Sequence, residues 1–198
     1  MTAEAPDDGS RPFSPASAGA ALLIAGACCG AALASYIAAP GWIGLAGAAL
    51  AVLALAIAIV DRRRLIIPNE LNAMAFVAGL TATTLKSQPA SEAAVLDALL
   101  RASVMFVAFF AFRAGYKQLR GVDGMGLGDV KLAAVAGVWL DWTDLPMAVE
   151  IAALSALASA LFGRLKGNKY GLTVKMPFGL FFAPAIWICW LVAALRVD

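Results

Sequence analysis

The chain has 198 residues, of which 62% are hydrophobic and only 14% are charged, well outside the range of an ordinary soluble domain. Its net charge of +2 at pH 7 is too small to indicate nucleic-acid binding, and no such partner is expected. The sequence contains no histidine, which excludes a histidine base or a histidine metal ligand. Composition therefore predicts an integral membrane protein.

Seven apolar segments follow one another, at residues 18–39, 43–60, 71–85, 93–112, 130–142, 145–162 and 176–195. Most are long enough to cross a hydrocarbon core of about 30 Å, although the third and fifth are short. The pattern predicts an all-α bundle of about seven transmembrane helices, with six and eight as the limits. Residues 1–17 are expected to form a disordered tail, and residues 18–198 a single membrane-embedded domain.

Basic residues occur in alternate loops, and they mark the cytoplasmic side by the positive-inside rule. The basic residues of these alternate loops are Arg62, Arg63, Arg64, Arg113, Lys117, Arg120, Arg164, Lys166, Lys169 and Lys175. This distribution predicts a cytoplasmic amino terminus. It also places Asp61, at the end of the second segment, and Asp129, at the start of the fifth, at the same membrane face.

An ionisable side chain at the end of a membrane segment costs free energy to keep away from water. Asp61 and Asp129 are therefore candidates for a functional site. Two carboxyl groups held close together cannot both ionise easily, so one can act as a base on water while the other protonates a leaving amine. Gly126 and Gly128 are expected to adopt conformations closed to other residues and to let a peptide strand approach. Asp129 is expected to begin a helix, whose dipole favours the carboxylate. No metal or cofactor is expected.

Each candidate also has a simpler interpretation. Asp61 precedes three arginines and could belong to a charge cluster that stops translocation, and Asp129 could be an ordinary helix cap. Asp123 is a competing carboxylate that lacks the Gly-x-Gly context. Lys131 could stabilise the Asp129 carboxylate or hold a substrate carbonyl, or it could extend to lipid phosphate. The residues alone leave the role of Lys131 open.

Three segments carry a resemblance when they are taken together and in order. The first is Asp61-Arg-Arg-Arg-Leu-Ile-Ile-Pro-Asn69, which includes Pro68; the second is Gly124-Met-Gly-Leu-Gly-Asp-Val-Lys131; the third is Met176-Pro-Phe-Gly179, which includes Pro177 and Phe178. The second is similar to the GxGD motif of the type IV prepilin peptidase family of aspartic intramembrane proteases. The other two resemble that family's first catalytic segment and its Pro-Phe-Gly stretch.

The resemblance implies an enzyme in which Asp61 and Asp129 are the catalytic dyad. It implies hydrolysis of the short leader of pilin-like precursor proteins at the cytoplasmic face of the bacterial inner membrane, with the precursor and the lipid bilayer as partners. The alternative is a noncatalytic transporter, or a scaffold for secretion assembly, in which the carboxylates relay ions or serve as a docking site.

The chain also departs from the family pattern. Bifunctional members carry an amino-terminal cytoplasmic insertion with two CxxC pairs, whereas only residues 39–41 separate the first two segments here. Zinc is therefore not expected, and the resemblance does not carry over the amino-methylation activity of those members. The compact form looks more like the peptidases of tight-adherence (Flp-type) pilus systems. Leu180 stands where many members have a second proline.

Overall fold

The computed structural model describes residues 15–87, 91–165 and 177–196, and these ranges form seven α-helices and no strand. The helices are α1 (Pro15–Ala38), α2 (Trp42–Arg64), α3 (Asn69–Lys86), α4 (Ser91–Arg120), α5 (Leu127–Trp139), α6 (Asp144–Leu165) and α7 (Gly179–Leu195). The predicted all-α membrane bundle is confirmed. Helix α1 begins ahead of the predicted start at residue 18, and residues 1–14 of the predicted tail lie outside the described ranges.

Two predicted boundaries move because of local backbone structure. The apolar run ends at residue 112, but α4 continues to Arg120, where Gly121 has a φ of 71° and donates its N–H to the Lys117 carbonyl at 2.8 Å. A glycine in the left-handed region commonly ends a helix. Helix α5 ends at Trp139, short of the predicted residue 142, because Leu140 has extended backbone angles.

Three helices in the described ranges are long and apolar enough to cross a membrane, namely Trp42–Arg64, Glu92–Arg120 and Asp144–Leu165. Helices α1 and α7 contribute the shorter apolar stretches Leu22–Ala38 and Gly179–Leu195. Helix α5 has 13 residues. At about 1.5 Å per residue it is about 20 Å long, too short to cross a core of about 30 Å alone. The chain is a membrane protein, and the number of crossings stays a prediction.

Helix α5 lies in the centre of the bundle, where it packs against α3, α4 and α7. Nearly every residue from Val130 to its end is buried. The Trp139 indole donates to the Ala75 carbonyl of α3 at 2.8 Å, and a Cβ at Gly137 would lie 2.5 Å from the backbone of Ala102 in α4. These contacts at its carboxyl end fix α5, so the amino end that carries Asp129 is held in place.

The opposite end of the bundle is closed by a buried arginine. Arg101 pairs with Asp97 one helical turn away, lies 3.6 Å from Asp141, and donates its Nε to the Gly137 carbonyl at 3.1 Å. A cavity of ≈ 420 Å³ opens beside this cluster. Neither Asp61 nor Asp129 lines it, so it does not belong to the site described next.

Candidate active site

Asp61 lies in the last turn of α2 and is only 4% exposed. Its Oδ2 accepts a hydrogen bond at 3.0 Å from the backbone N–H of Leu180, in the first turn of α7. The backbone then leaves the helix at Leu65, which adopts a φ of 54° and donates its N–H to the Asp61 carbonyl at 2.8 Å. Asp61 is therefore held inside the bundle, at the point where α2 ends and α7 begins.

Asp129 lies in the first turn of α5, but it does not begin the helix as the sequence predicted. Helix α5 starts at Leu127 with Gly126 as its N-cap residue, and the Gly126 N–H donates to Asp129 Oδ2 at 3.2 Å. Gly126 has no side chain that could cap the helix. The Asp129 side chain instead folds back and accepts the hydrogen bond from the backbone of the N-cap residue. The predicted proximity to the positive end of the helix dipole holds.

The two aspartates lie near each other, around Ile67 in the turn between α2 and α3. Gly128, next to Asp129, and Gly179, beside Asp61 Oδ2, both lie against the Ile67 side chain. A Cβ at Gly179 would lie 3.0 Å from Asp61 Oδ2 and 2.6 Å from Ile67 Cδ1, so no side chain fits between them. The three segments singled out in the sequence therefore meet around Ile67.

The remaining residues of the third segment anchor the start of α7. The Phe178 ring lies 5.2 Å from that of Phe182 and 6.3 Å from that of Phe109 in α4. Leu180, which departs from the family's second proline, supplies the N–H that binds Asp61. Proline has no N–H, so a proline at position 180 could not donate this hydrogen bond to Asp61. Pro177 is the first described residue of the segment, and residue 176 lies outside the described ranges.

Gly126 and Gly128 do not adopt the conformations expected of them. Gly126 has a φ of −73°, Gly128 lies within α5, and the positive φ values of the described glycines occur at Gly41 and Gly121. Gly128 is instead needed for space, because a Cβ there would lie 2.9 Å from the Cβ of Ile67. The absent side chain lets the start of α5 pack against the turn between α2 and α3.

Pro68, Asn69 and Lys131 form the exposed edge of the site. Pro68 is the N-cap residue of α3, with φ −60° and ψ 138°, and Asn69 follows it as the first helical residue. Lys131 Nζ donates to Asn69 Oδ1 at 2.6 Å. Lys131 therefore links α5 to α3 in this structure. The sequence had suggested a contact with Asp129, with a substrate carbonyl or with lipid phosphate, and did not include this link.

Asn72 belongs to the site but was missed in the sequence. It is 4% exposed, and its Nδ2 donates to the Gly128 carbonyl at 3.2 Å. Its Oδ1, like Asp129 Oδ1, is buried and accepts no hydrogen bond from a described residue. An amide inside an apolar segment and three residues beyond Asn69 was the signal that could have identified it.

Asp123, the competing carboxylate, is placed differently. It pairs with Arg113 at 3.2 Å and with Lys117 at 3.4 Å, and its side chain is 44% exposed. Arg113 also donates its Nε to the Met125 carbonyl at 2.9 Å. Asp123 is therefore part of the ion pairs that attach the loop before α5 to the end of α4, and it lies outside the aspartate pair.

Comparison with known proteins finds relatives that are named leader peptidases. The chain is 32% identical over 151 residues to the prepilin leader peptidase/N-methyltransferase of Aeromonas salmonicida (strain A449), which covers 75% of this chain and 50% of that protein. It is 34% identical over 125 residues to the leader peptidase HopD of Escherichia coli, covering 63% of this chain and 78% of that protein. The corresponding Burkholderia pseudomallei (strain K96243) enzyme is 32% identical over 144 residues, or 73% of this chain and 45% of its own length.

The chain thus spans about half the length of the Aeromonas and Burkholderia relatives. No solved structure matches it. The sequence model of the type IV leader peptidase family matches residues 48–161, a range that covers more than half of the chain and contains both aspartates. The chain belongs to the type IV leader peptidase family.

Proposed function

We propose that the chain is an aspartic intramembrane endopeptidase that removes the short leader of type IV pilin-like precursors, with Asp61 and Asp129 as its catalytic dyad. The observation that carries this proposal is that three distant segments meet around Ile67, with the carboxyl groups of Asp61 and Asp129 each held beside that contact by a backbone N–H. The substrate class rests on the relatives, which are named prepilin leader peptidases.

The chemistry follows from a proton shared by the pair. The ionised carboxyl group accepts a proton from water as the water oxygen bonds to the scissile carbonyl carbon, and the protonated group donates to the departing amide nitrogen as the C–N bond breaks. Backbone N–H groups hold Oδ2 of each aspartate. Asp129 Oδ1 is buried and accepts no hydrogen bond from a described residue, so it has a free acceptor position for the water once the site opens to the substrate.

Reaction at the cytoplasmic face is supported by the distribution of charge around the pair. Asp61 directly precedes Arg62, Arg63 and Arg64, which are exposed in the last turn of α2. The loop that leads to Asp129 is attached to Arg113 and Lys117 near the end of α4. Clustered cations beside membrane helices favour the cytoplasmic side, which is also where a pilin-like precursor would present its leader.

The test is cleavage of a prepilin by the purified full chain, with mass spectrometry of both products. We expect Asp61→Asn and Asp129→Asn to lower the cleavage rate by about 10²-fold to 10⁴-fold, since each removes a group that transfers a proton. Asp123→Asn is the matched control, because it neutralises a nearby carboxylate outside the pair, and it should cleave at close to the wild-type rate. Normal yield and thermal stability would show that the variants are folded.

Full processing by either Asp61→Asn or Asp129→Asn would overturn the proposal. Ion or solute uptake into proteoliposomes that depends on Asp129, with no proteolysis of any prepilin, would favour the noncatalytic alternative.

A further inference from the structure

A single peptide group connects Arg113 to Asp129. The carbonyl oxygen of Met125 accepts a hydrogen bond from Arg113 Nε at 2.9 Å. The N–H of the same peptide group, which belongs to Gly126, donates to Asp129 Oδ2 at 3.2 Å. Arg113 lies in α4 and Asp129 in α5, so this peptide group is held from one helix and in turn holds a side chain of the other.

Geometry makes the two hydrogen bonds dependent on each other. A peptide group is planar, and its C=O and N–H point in opposite directions, so fixing the direction of the oxygen also fixes that of the N–H. A charged donor on the carbonyl also polarises the N–H, and hydrogen bonds in such chains strengthen one another. The Arg113 side chain is 21% exposed, so solvent screens this effect only in part.

Arg113 makes a second, separable interaction through a different nitrogen. Its Nη2 lies 3.2 Å from Asp123, which also pairs with Lys117 at 3.4 Å. The guanidinium fork thus holds the loop twice, at an exposed carboxylate and at the peptide group. These contacts can be removed one at a time, because Asp123 touches only the first and Nε makes only the second.

We propose that Arg113 is a positioning residue for Asp129, which acts by fixing the Met125–Gly126 peptide group. This inference rests on the proposed function, since Asp129 must be catalytic for its orientation to affect the rate. With Oδ2 held by Gly126, the second oxygen of Asp129 is buried and accepts no hydrogen bond from a described residue. Lys131, on α5 itself, is engaged with Asn69.

The kinetic test compares Arg113→Gln with Asp123→Asn and Lys117→Gln in prepilin cleavage. We expect Arg113→Gln to lower kcat by about tenfold, or about 1.4 kcal/mol of transition-state stabilisation, with little change in KM. The two control variants should retain wild-type kcat, because they leave the Nε contact intact. Arg113→Lys is a milder second variant that keeps the charge near Asp123 but lacks the fork, and its kcat should also fall.

Hydrogen exchange of the segment at residues 121–129 tests the contact without relying on activity. Exchange of the Gly126 amide should be faster in Arg113→Gln and unchanged in Asp123→Asn. Equal losses of protection and kcat in Arg113→Gln and Asp123→Asn would overturn the proposal, because loss of the ion pair with Asp123 would then explain the whole effect. Wild-type kcat and exchange in Arg113→Gln would also overturn it. If the wild-type chain cleaves no prepilin while the exchange result holds, the proposed function fails but the positioning contact stands.

Discussion

Gly179 is the residue on which the geometry of the aspartate pair depends most directly. It has no room for a side chain, because a Cβ would lie 2.6 Å from Ile67 Cδ1 and 3.0 Å from Asp61 Oδ2. It directly precedes Leu180, whose N–H binds Asp61, so any shift of Gly179 alters that hydrogen bond. At the residue scale, the site is therefore built as much from backbone as from side chains.

We expect Gly179→Ala to lower prepilin cleavage by about tenfold or more, since even a small displacement of a catalytic group is costly. Overpacking of this kind costs about 1–3 kcal/mol in stability, so a modest drop in thermal stability should accompany the loss. Gly115→Ala is the matched control, because Gly115 lies within α4 and a Cβ there meets nothing within 4 Å. Equal cleavage rates for the two variants would show that the close approach at Gly179 is not needed.

At the scale of elements, the crossing of α4 and α5 sets the position of the helix that carries Asp129. At Gly137 an added Cβ would lie 2.5 Å from both the backbone N and the Cα of Ala102. Backbone atoms cannot rotate away as a side chain can, so the two helices would have to separate. Small residues permit this kind of close contact between membrane helices.

We therefore expect Gly137→Ala to destabilise the protein by about 1–3 kcal/mol, although alanine has the better helix propensity. Thermal unfolding in detergent would measure the loss, with Gly30→Ala as the control, because a Cβ at Gly30 in α1 meets nothing within 4 Å. If Gly137→Ala unfolds at or above the wild-type temperature, the close crossing is not a source of stability.

The elements also show where sequence patterns succeed and where they stop. Apolar runs predicted all seven helices, because burial and membrane contact both require them. They could not predict that α4 extends beyond residue 112, since that helix ends where Gly121 turns left-handed and not where hydrophobicity ends. The fifth run is short for a membrane crossing, but its place in the centre depends on contacts such as that between Gly137 and Ala102.

The site shows the same limit. The distribution of basic residues predicted that Asp61 and Asp129 lie at the same membrane face, and in the structure the segments that carry them meet around Ile67. The reason for Gly128, however, is a contact with Ile67, a partner 61 residues away that no local pattern indicates. Asn72 and Arg113 were missed as parts of the site for the same reason, since their roles depend on backbone carbonyl groups of other segments.

At the scale of the whole molecule, basic residues gather at one end of the bundle. The end that holds the aspartate pair carries Arg62, Arg63, Arg64, Arg113 and Lys117, whereas the other end has Asp97, Asp141 and Asp144 together with Lys86, Arg101 and Arg196. By the positive-inside rule, we propose that the end with the aspartate pair faces the cytoplasm. The inference that a cytoplasmic leader reaches the pair depends on this orientation.

Cysteine labelling tests the orientation directly. The starting chain has Cys28 and Cys29 replaced by serine and keeps the buried Cys189. Leu119→Cys and Lys86→Cys each introduce a thiol at an exposed position, at the carboxyl ends of α4 and α3, which lie at opposite ends of the bundle. We expect a membrane-impermeant maleimide to label Lys86→Cys in intact spheroplasts and Leu119→Cys only after the membrane is permeabilised. Labelling of Leu119→Cys in intact cells would invert the orientation. The aspartate pair would then face away from the cytoplasm, so a leader that remains there could not be its substrate.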